Sequence, residues 1–184
     1  MTSEQKLLKV AFKLVQALDK EAENLLPQQI LEIVKLHSKL AVGAAFIPVP
    51  GLDMAGSAAS IWSMYIRINQ KIGIPFKENV VKSLASGVAT NLAGYLAVSG
   101  AGSLIKLIPG IGTVAGAVAM TAASYAATLA SGWLYLNALS LAAQKKGAAI
   151  TMNDISSAMS SLFKDKGAIK EFIDTAKDEH KNKK

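Results

Sequence analysis

Apolar residues near the amino terminus recur at three-, four- and seven-residue spacing, which predicts one face of a helix that starts at Ser3. Lysines lie among the polar positions, so this helix is amphipathic and basic. Such a helix packs on the core of its own chain, or it lies in the plane of an anionic membrane surface; the pattern suits both. The predicted apolar face comprises Leu7, Val10, Ala11, Leu14, Leu18 and Leu25.

Prolines and glycines divide the next part of the chain into two further helices. Pro27 is at a position that a first helical turn tolerates, and it predicts a second helix that extends to about Phe46. The stretch "FIPVPGLD" ends it, because two prolines two residues apart cannot both lie in a helix interior. Asp53, a predicted N-cap, starts a third helix that ends near "KIGIP". The inward residues predicted for the second helix are Ile30, Ile33, Val34, Leu40 and Ala41.

The centre of the chain is apolar, and between Ser83 and Gln144 it carries one charged side chain, Lys106. Segments 84–105 and 113–143 flank a turn around this lysine, and each exceeds the roughly 20 residues that cross a hydrocarbon core. The sequence therefore predicts a helical hairpin over 84–143. Because the second segment lacks a charged outer face, we expect lipid or other subunits to bury it on every side.

Composition makes insertion of either segment alone marginal, since alanine, glycine, serine and threonine contribute little to transfer into lipid. A hairpin that inserts as a pair is therefore favoured. Lys77 and Lys82 precede it, and Lys145 and Lys146 follow it. By the positive-inside tendency, both termini are expected in the cytoplasm.

Small residues at four-residue spacing form a smooth stripe that allows another helix to approach closely, and they predict self-association into a homo-oligomer. Asn91 and Asn137 lie in apolar runs, where we expect hydrogen bonds across helices. Trp133, Tyr135 and Tyr95 suit either a membrane interface or a packed core. The stripe comprises Gly112, Ala115, Gly116, Ala119, Ala123 and Ala127, and it continues to Ser131.

After Lys146 the chain becomes polar. Thr151 and Asp154 have the spacing of a capping box, and two short helices are predicted after it, over 152–164 and 167–178. We therefore predict an all-α protein, a bundle of about six or seven helices in one domain. Its parts are amphipathic N-terminal helices at 1–46, an apolar core at 47–143, and polar C-terminal helices with a tail at 144–184.

The overall composition is typical of a membrane-associated protein, with 51% hydrophobic and 18% charged residues and a mean hydropathy of +0.32. Cysteine is absent from the sequence, and the two histidines, His37 and His180, are far apart along it. We therefore predict no catalytic, cofactor or metal site, and no enzyme. The net charge of +7 is spread along the chain without interleaved aromatics, so no nucleic-acid partner is expected.

Proline-glycine corners carry a resemblance to a known family. The corner at 47–51, Asp53, the "IGIPF" turn at 72–76 and the corner at 108–112 resemble the YcjF-like helical domain, a bacterial family of undetermined function. Its members occur alone or joined to Era- or Ras-like GTPase domains, and they are described as membrane-associated. The corner residues are Pro48, Pro50, Gly51, Asp53, Pro109, Gly110 and Gly112.

The resemblance implies a helical module at the bacterial inner membrane. This chain lacks Gly-x4-Gly-Lys-Ser/Thr, so a GTPase partner would have to be supplied in trans. The function expected from the sequence is thus a non-enzymatic module that binds the lipid bilayer, self-associates and serves a GTPase or similar effector. Two alternatives stay open: a soluble bundle that hides an apolar hairpin and inserts as a pore former, and a soluble cytoplasmic oligomeric scaffold.

Overall fold

The protein is described by a computed structural model that covers residues 1–18, 26–44, 53–96 and 114–182. Within these ranges all regular structure is helical, which confirms the predicted all-α class. The elements are α1 (Ser3–Leu18), α2 (Pro27–Ala44), α3 (Asp53–Ile72), α4 (Glu78–Leu96), α5 (Val114–Lys146), a 3₁₀ turn (Gly147–Ala149), α6 (Met152–Leu162) and α7 (Lys166–Asn182).

Helix α5 is the centre of the bundle, and every other α-helix packs against it. Its side chains between Thr121 and Ala143 are mostly buried, and Leu129, Leu134 and Leu136 are almost inaccessible to solvent. The expectation that lipid or other subunits cover this helix was wrong for that part, because helices of the same chain cover it. A helix surrounded by other helices needs no polar face of its own.

The amphipathic helices α1 and α2 pack with their apolar faces against this core. In α1 the predicted residues from Leu7 to Leu18 are buried, so the helix docks on its own chain; Leu25 lies outside the described residues. In α2, Ile30, Val34 and Ala41 are buried and Ile33 is partly buried. Leu40 is 55% exposed, so its predicted inward position was wrong.

The third helix begins at Asp53, as predicted, and ends at Ile72. Gly73 follows with φ +74°, a left-handed conformation that glycine adopts without steric cost and that commonly ends a helix. The next backbone N–H, that of Ile74, donates to the carbonyl oxygen of Asn69 at 3.1 Å. Helix α4 then starts at Glu78, and the turn predicted between the hairpin helices, with Lys106, lies outside the described residues.

The carboxy-terminal elements agree with their sequence signals. The backbone N–H of Asp154 donates to the Thr151 hydroxyl at 3.3 Å, and the Thr151 N–H donates to the Asp154 carboxylate at 2.9 Å. This reciprocal pair confirms the predicted capping box at the start of α6. Helix α7 continues to Asn182, four residues beyond the predicted end.

Candidate functional site

The predicted corner residues fall mainly outside the described part of the chain. Asp53 stands at the first position of α3, where the sequence predicted a helix start, and its capping role stays a prediction. The corner residues outside the described ranges are Pro48, Pro50, Gly51, Pro109, Gly110 and Gly112.

The small-residue stripe is described only toward its carboxyl end. Ala123 is partly buried, and Ala127 and Ser131 are buried within the chain. This end of the stripe therefore packs inside the bundle. The role in self-association that the sequence predicts for the amino-terminal members of the stripe stays a prediction, because their surroundings are not described. These members are Gly112, Ala115, Gly116 and Ala119.

Gly132 of α5, one residue beyond the predicted stripe, lies very close to side chains of two other helices. A Cβ atom placed there would lie 2.5 Å from Cγ1 of Val34 and 3.3 Å from Sδ of Met64. Helices α2 and α3 thus pack closely against the backbone of α5 at this point. The four-residue pattern did not point to Gly132, because this glycine is one residue out of step with the alanines of the stripe.

A buried polar pair joins α3 to α5 next to this contact. The rings of Tyr65 and Tyr135 stack with centroids 3.8 Å apart. The Tyr135 hydroxyl donates to Oδ1 of Asn69 at 2.7 Å, and the Tyr65 hydroxyl donates to the carbonyl oxygen of Ser131 at 3.2 Å. Burial raises the pKa of both tyrosines, so both hydroxyls stay protonated donors.

The two asparagines singled out from the sequence do not make these cross-helix bonds. Nδ2 of Asn91 donates to the carbonyl oxygen of Gly87, and Nδ2 of Asn137 donates to that of Trp133, each at 2.8 Å within its own helix. The prediction for both was therefore wrong. Among the described asparagines, the one that bonds across helices is Asn69, and its only sequence signal is a polar position on the otherwise apolar inner face of α3.

The aromatic residues of the predicted hairpin contribute to the core. Trp133 stacks on Phe172 of α7 with centroids 4.8 Å apart. The hydroxyl of Tyr95 donates to the carbonyl oxygen of Phe163 at 3.3 Å. Together with the buried Tyr135, these contacts favour the core interpretation over the interfacial one.

His37 is buried between α2 and α3. Its Nδ1 lies 2.8 Å from the carbonyl oxygen of Ile33, which can only accept, so Nδ1 carries the proton. Nε2, 3.3 Å from Oγ of Ser63, then accepts from that hydroxyl. Burial lowers the pKa of His37 and the nearby positive charge of Arg67 lowers it further, against the opposing effect of the Ile33 bond. This geometry suits a structural, neutral histidine.

His180 borders a cleft of about 360 Å³ where the ends of α1, α2 and α7 meet α5. Its ring stacks on that of Tyr125 with centroids 4.5 Å apart. Burial, followed by the negative charges of Glu4 and Glu179, raises the pKa of the tyrosine. The cleft is lined by Ser3, Glu4, Leu7, Lys35, Lys39, Val42, Tyr125, Leu129, Glu179 and His180.

The carboxylates of the cleft hold helix ends together. Glu179 accepts from the backbone N–H of Ser3 at 3.0 Å and also from the Ser3 hydroxyl. Glu4 is 2.8 Å from Nζ of Lys35. These bonds hold the start of α1 against α7 and α2. The carboxylates of the cleft therefore have a structural role. Among the described residues, no group of three or more histidines and carboxylates has a geometry that could hold a metal ion.

Within the described ranges, no helix has both the length and the apolar character to cross a bilayer.

Comparison with known proteins gives one informative similarity. No family model matches the chain, and no solved structure matches it. The chain is 33% identical over 119 residues to magnetosome membrane protein 22 of Magnetospirillum gryphiswaldense. That match covers 64% of this chain and 57% of the relative, so the chain spans less than two thirds of the relative's length. The YcjF-like resemblance stays a prediction.

Proposed function

We propose that this protein is a non-enzymatic helical module that associates with a bacterial membrane while its bundle stays folded. The observation that carries the proposal is the 119-residue similarity to a protein named as a membrane protein. The location we propose is the cytoplasmic face of the inner membrane, with both termini in the cytoplasm; the lysines on both sides of the apolar centre support it, because the anionic lipids of that leaflet attract basic segments.

The packing of α5 supports association of the intact bundle in preference to a spanning hairpin. Residues 121–143 are covered by helices of the same chain, and insertion would have to remove that cover. The covering helices are amphipathic, with apolar faces against α5 and charged faces toward solvent. Binding of the folded bundle to the membrane surface keeps these contacts, and it needs only an outer protein surface that can contact lipid.

A second candidate function, triggered insertion, is favoured by one specific observation. Helix α5 carries no charged side chain before Lys145, and polar contacts fasten its cover at one end. Glu179 bonds to Ser3, and Glu171 lies 2.7 Å from Nζ of Lys6. Protonation of these carboxylates would weaken both contacts, and acidification is therefore the trigger to test for pore formation.

The proposed partners are a second copy of the chain and a GTPase supplied in trans. The amino-terminal part of the small-residue stripe supports the first, since close helix packing needs small side chains. The YcjF-like corners, in a chain without its own phosphate-binding loop, support the second. Sizing of the purified protein, and affinity capture with a panel of bacterial GTPases in their GTP- and GDP-bound forms, test these two proposals separately.

Cell fractionation tests the main proposal. Bacterial membranes containing the protein are washed with high salt, then with alkaline carbonate, and the released material is sized without detergent. We expect recovery in the membrane fraction and release by the washes as a folded, detergent-free species. Release only by detergent would indicate an integral hairpin, and recovery from the cytosol alone would contradict membrane association. Leakage from acidified vesicles would support the second candidate.

A further inference from the structure

Large apolar side chains that face solvent are concentrated in the first 40 residues. Of the six exposed large hydrophobic residues that the described ranges contain, five lie there and one, Leu141, lies elsewhere. Scattered single exposed apolar residues are ordinary on protein surfaces, but a concentration in one helical pair marks an interaction surface. The five are Met1, Phe12, Leu26, Leu36 and Leu40.

Three of these residues are exposed on two neighbouring helices. Helices α1 and α2 lie side by side on α5, and Glu4 of α1 pairs with Lys35 of α2. Both helices direct their buried faces to the central helix, so their exposed faces point away from it. Phe12 on α1, and Leu36 and Leu40 on α2, lie on this outer side with exposed fractions of 52%, 43% and 55%.

Positive charge accompanies the apolar residues. Lys9, Lys13 and Lys39 are exposed on the same helices, and none of them pairs with a carboxylate among the described residues. Among the described residues of α1 and α2, Glu32 is the exposed acidic residue, and Glu4 is neutralised by Lys35. The outer surface is therefore basic as well as apolar.

The basic region around α3 and α4 differs in character. Arg67, Lys71, Lys77 and Lys82 are exposed there, and the described part of these helices exposes no large hydrophobic residue. Such a region attracts anions without offering apolar contact. The combination that matches a lipid surface, with apolar side chains for the acyl boundary and lysines for the headgroups, occurs on α1 and α2.

We propose that the outer surface of α1 and α2 docks on an anionic lipid bilayer. This α1–α2 face comprises Lys9, Phe12, Lys13, Leu36, Lys39 and Leu40. Phe12, Leu36 and Leu40 enter the boundary between headgroups and acyl chains, and the three lysines contact anionic headgroups. The inference rests on the proposed membrane association, and it specifies the face and the lipid class. It leaves every buried contact of α1 and α2 with α5 in place.

The size of each contribution follows from the exposed groups. A lysine near an anionic membrane contributes about fivefold in affinity, so the three together contribute roughly a hundredfold. About half of each apolar side chain is available for burial, which also corresponds to about fivefold per residue. Loss of either set should therefore weaken vesicle binding by one to two orders of magnitude.

The test uses the full chain and flotation with vesicles of phosphatidylcholine, with or without phosphatidylglycerol, at low and at high salt. One variant combines Lys9→Gln, Lys13→Gln and Lys39→Gln, and a second combines Phe12→Gln, Leu36→Gln and Leu40→Gln. Glutamine keeps helix propensity, and the positions are exposed, so both variants should fold. Circular dichroism and thermal unfolding verify this for each variant.

Matched controls come from α7 and α5, outside the α1–α2 face. Lys164→Gln, Lys166→Gln and Lys170→Gln remove the same charge from exposed positions around α7. Leu141→Gln removes the exposed apolar residue of α5. We expect binding to vesicles with phosphatidylglycerol, weakened by salt, to fall roughly a hundredfold in either face variant, while the controls bind within about threefold of the wild type.

Each contrary result has a separate meaning. If the wild type binds and the face variants bind equally well, the face is wrong while membrane association stands. If the wild type binds no vesicle, the proposed function fails with it. If the face variants convert an oligomer to a monomer without changing vesicle binding, the face joins copies of the chain and the lipid proposal is overturned.

Discussion

The close contact at Gly132 allows a quantitative test of how the central helix packs. A methyl group at this position would lie 2.5 Å from Cγ1 and 3.0 Å from Cγ2 of Val34. The first value is shorter than real carbon–carbon contacts and the second is tighter than most of them, so either Val34 or the backbone has to shift. Valine is β-branched, and its χ1 is restricted in a helix, so a rotamer change relieves little of the overlap.

The expected magnitude for Gly132→Ala combines two opposing effects. Alanine in a helix interior is favoured over glycine by about 1 kcal/mol. Overpacking of a tight core costs about 1–3 kcal/mol. We therefore expect a net loss of about 1 kcal/mol in the free energy of unfolding, which lowers the thermal midpoint by about 2–4 °C in a domain of this size.

Gly87 of α4 provides the control, because it is exposed and no atom lies within 4 Å of a Cβ placed there. Gly87→Ala should gain about 0.5–1 kcal/mol from helix propensity alone. Urea unfolding followed by circular dichroism measures both variants. In the double variant Val34→Ala with Gly132→Ala, part of the overlap is removed, so the two changes should be coupled favourably by about 1 kcal/mol. If Gly132→Ala stabilises as much as Gly87→Ala does, the close approach of α2 to α5 is refuted.

Three further predictions concern hydrogen bonds and titration. Tyr135→Phe leaves Oδ1 of Asn69 without its donor in a buried site, so we expect a loss of about 1–3 kcal/mol in urea unfolding. Because the pKa of His37 is lowered in the folded state, the neutral ring contributes to stability above about pH 6.5, and this contribution is lost as the pH falls below that value. We expect His37→Gln to remove this part of the pH dependence of the free energy of unfolding. Bonds from Lys146, followed by those from Thr151, lower the pKa of Asp154 to about 2; NMR titration should find this value, and Lys146→Gln should raise it. Its stabilising contribution is present above pH 3.8 and is lost as the pH falls toward 2.

Each of these predictions has a result that contradicts it. Unchanged stability of Tyr135→Phe would show that the Asn69 bond is not formed. A His37 variant with the same pH dependence as the wild type would assign the effect to another group. An Asp154 pKa near 4 would show that the Lys146 contact and the capping box are not maintained in solution.

The sequence patterns were most informative where one local rule decides the structure. The three- and four-residue spacing in α1 identified its buried face, and Thr151 with Asp154 identified the start of α6. Leu40 was misplaced because it lies six residues after Val34, about 120° away around the helix. His37 and Ser38 occupy the buried positions instead, and the spacing of apolar residues along the chain does not indicate that polar residues are buried there.

Tertiary packing decided what the sequence could not. A helix such as α5, which carries no charged side chain before Lys145, suits the centre of a bundle as well as it suits lipid, and only the placement of the neighbouring helices distinguishes the two. Similarly, the partner of a buried polar residue depends on which residue faces it. Asn137 bonds within its own helix while Asn69 meets Tyr135 across helices, although both have polar side chains among apolar neighbours.

The most direct test of membrane association by a folded bundle is fluorescence quenching by brominated anionic lipids. The chain has two tryptophans, so Trp62→Phe leaves Trp133 as the single reporter, partly buried and stacked on Phe172 in the bundle. A second protein carries Phe12→Trp with both native tryptophans replaced by phenylalanine. We predict that the tryptophan at position 12 is quenched on vesicle binding and that Trp133 is not. Strong quenching of Trp133, with position 12 unaffected, would show that the central helix enters the bilayer and would contradict docking of the intact bundle.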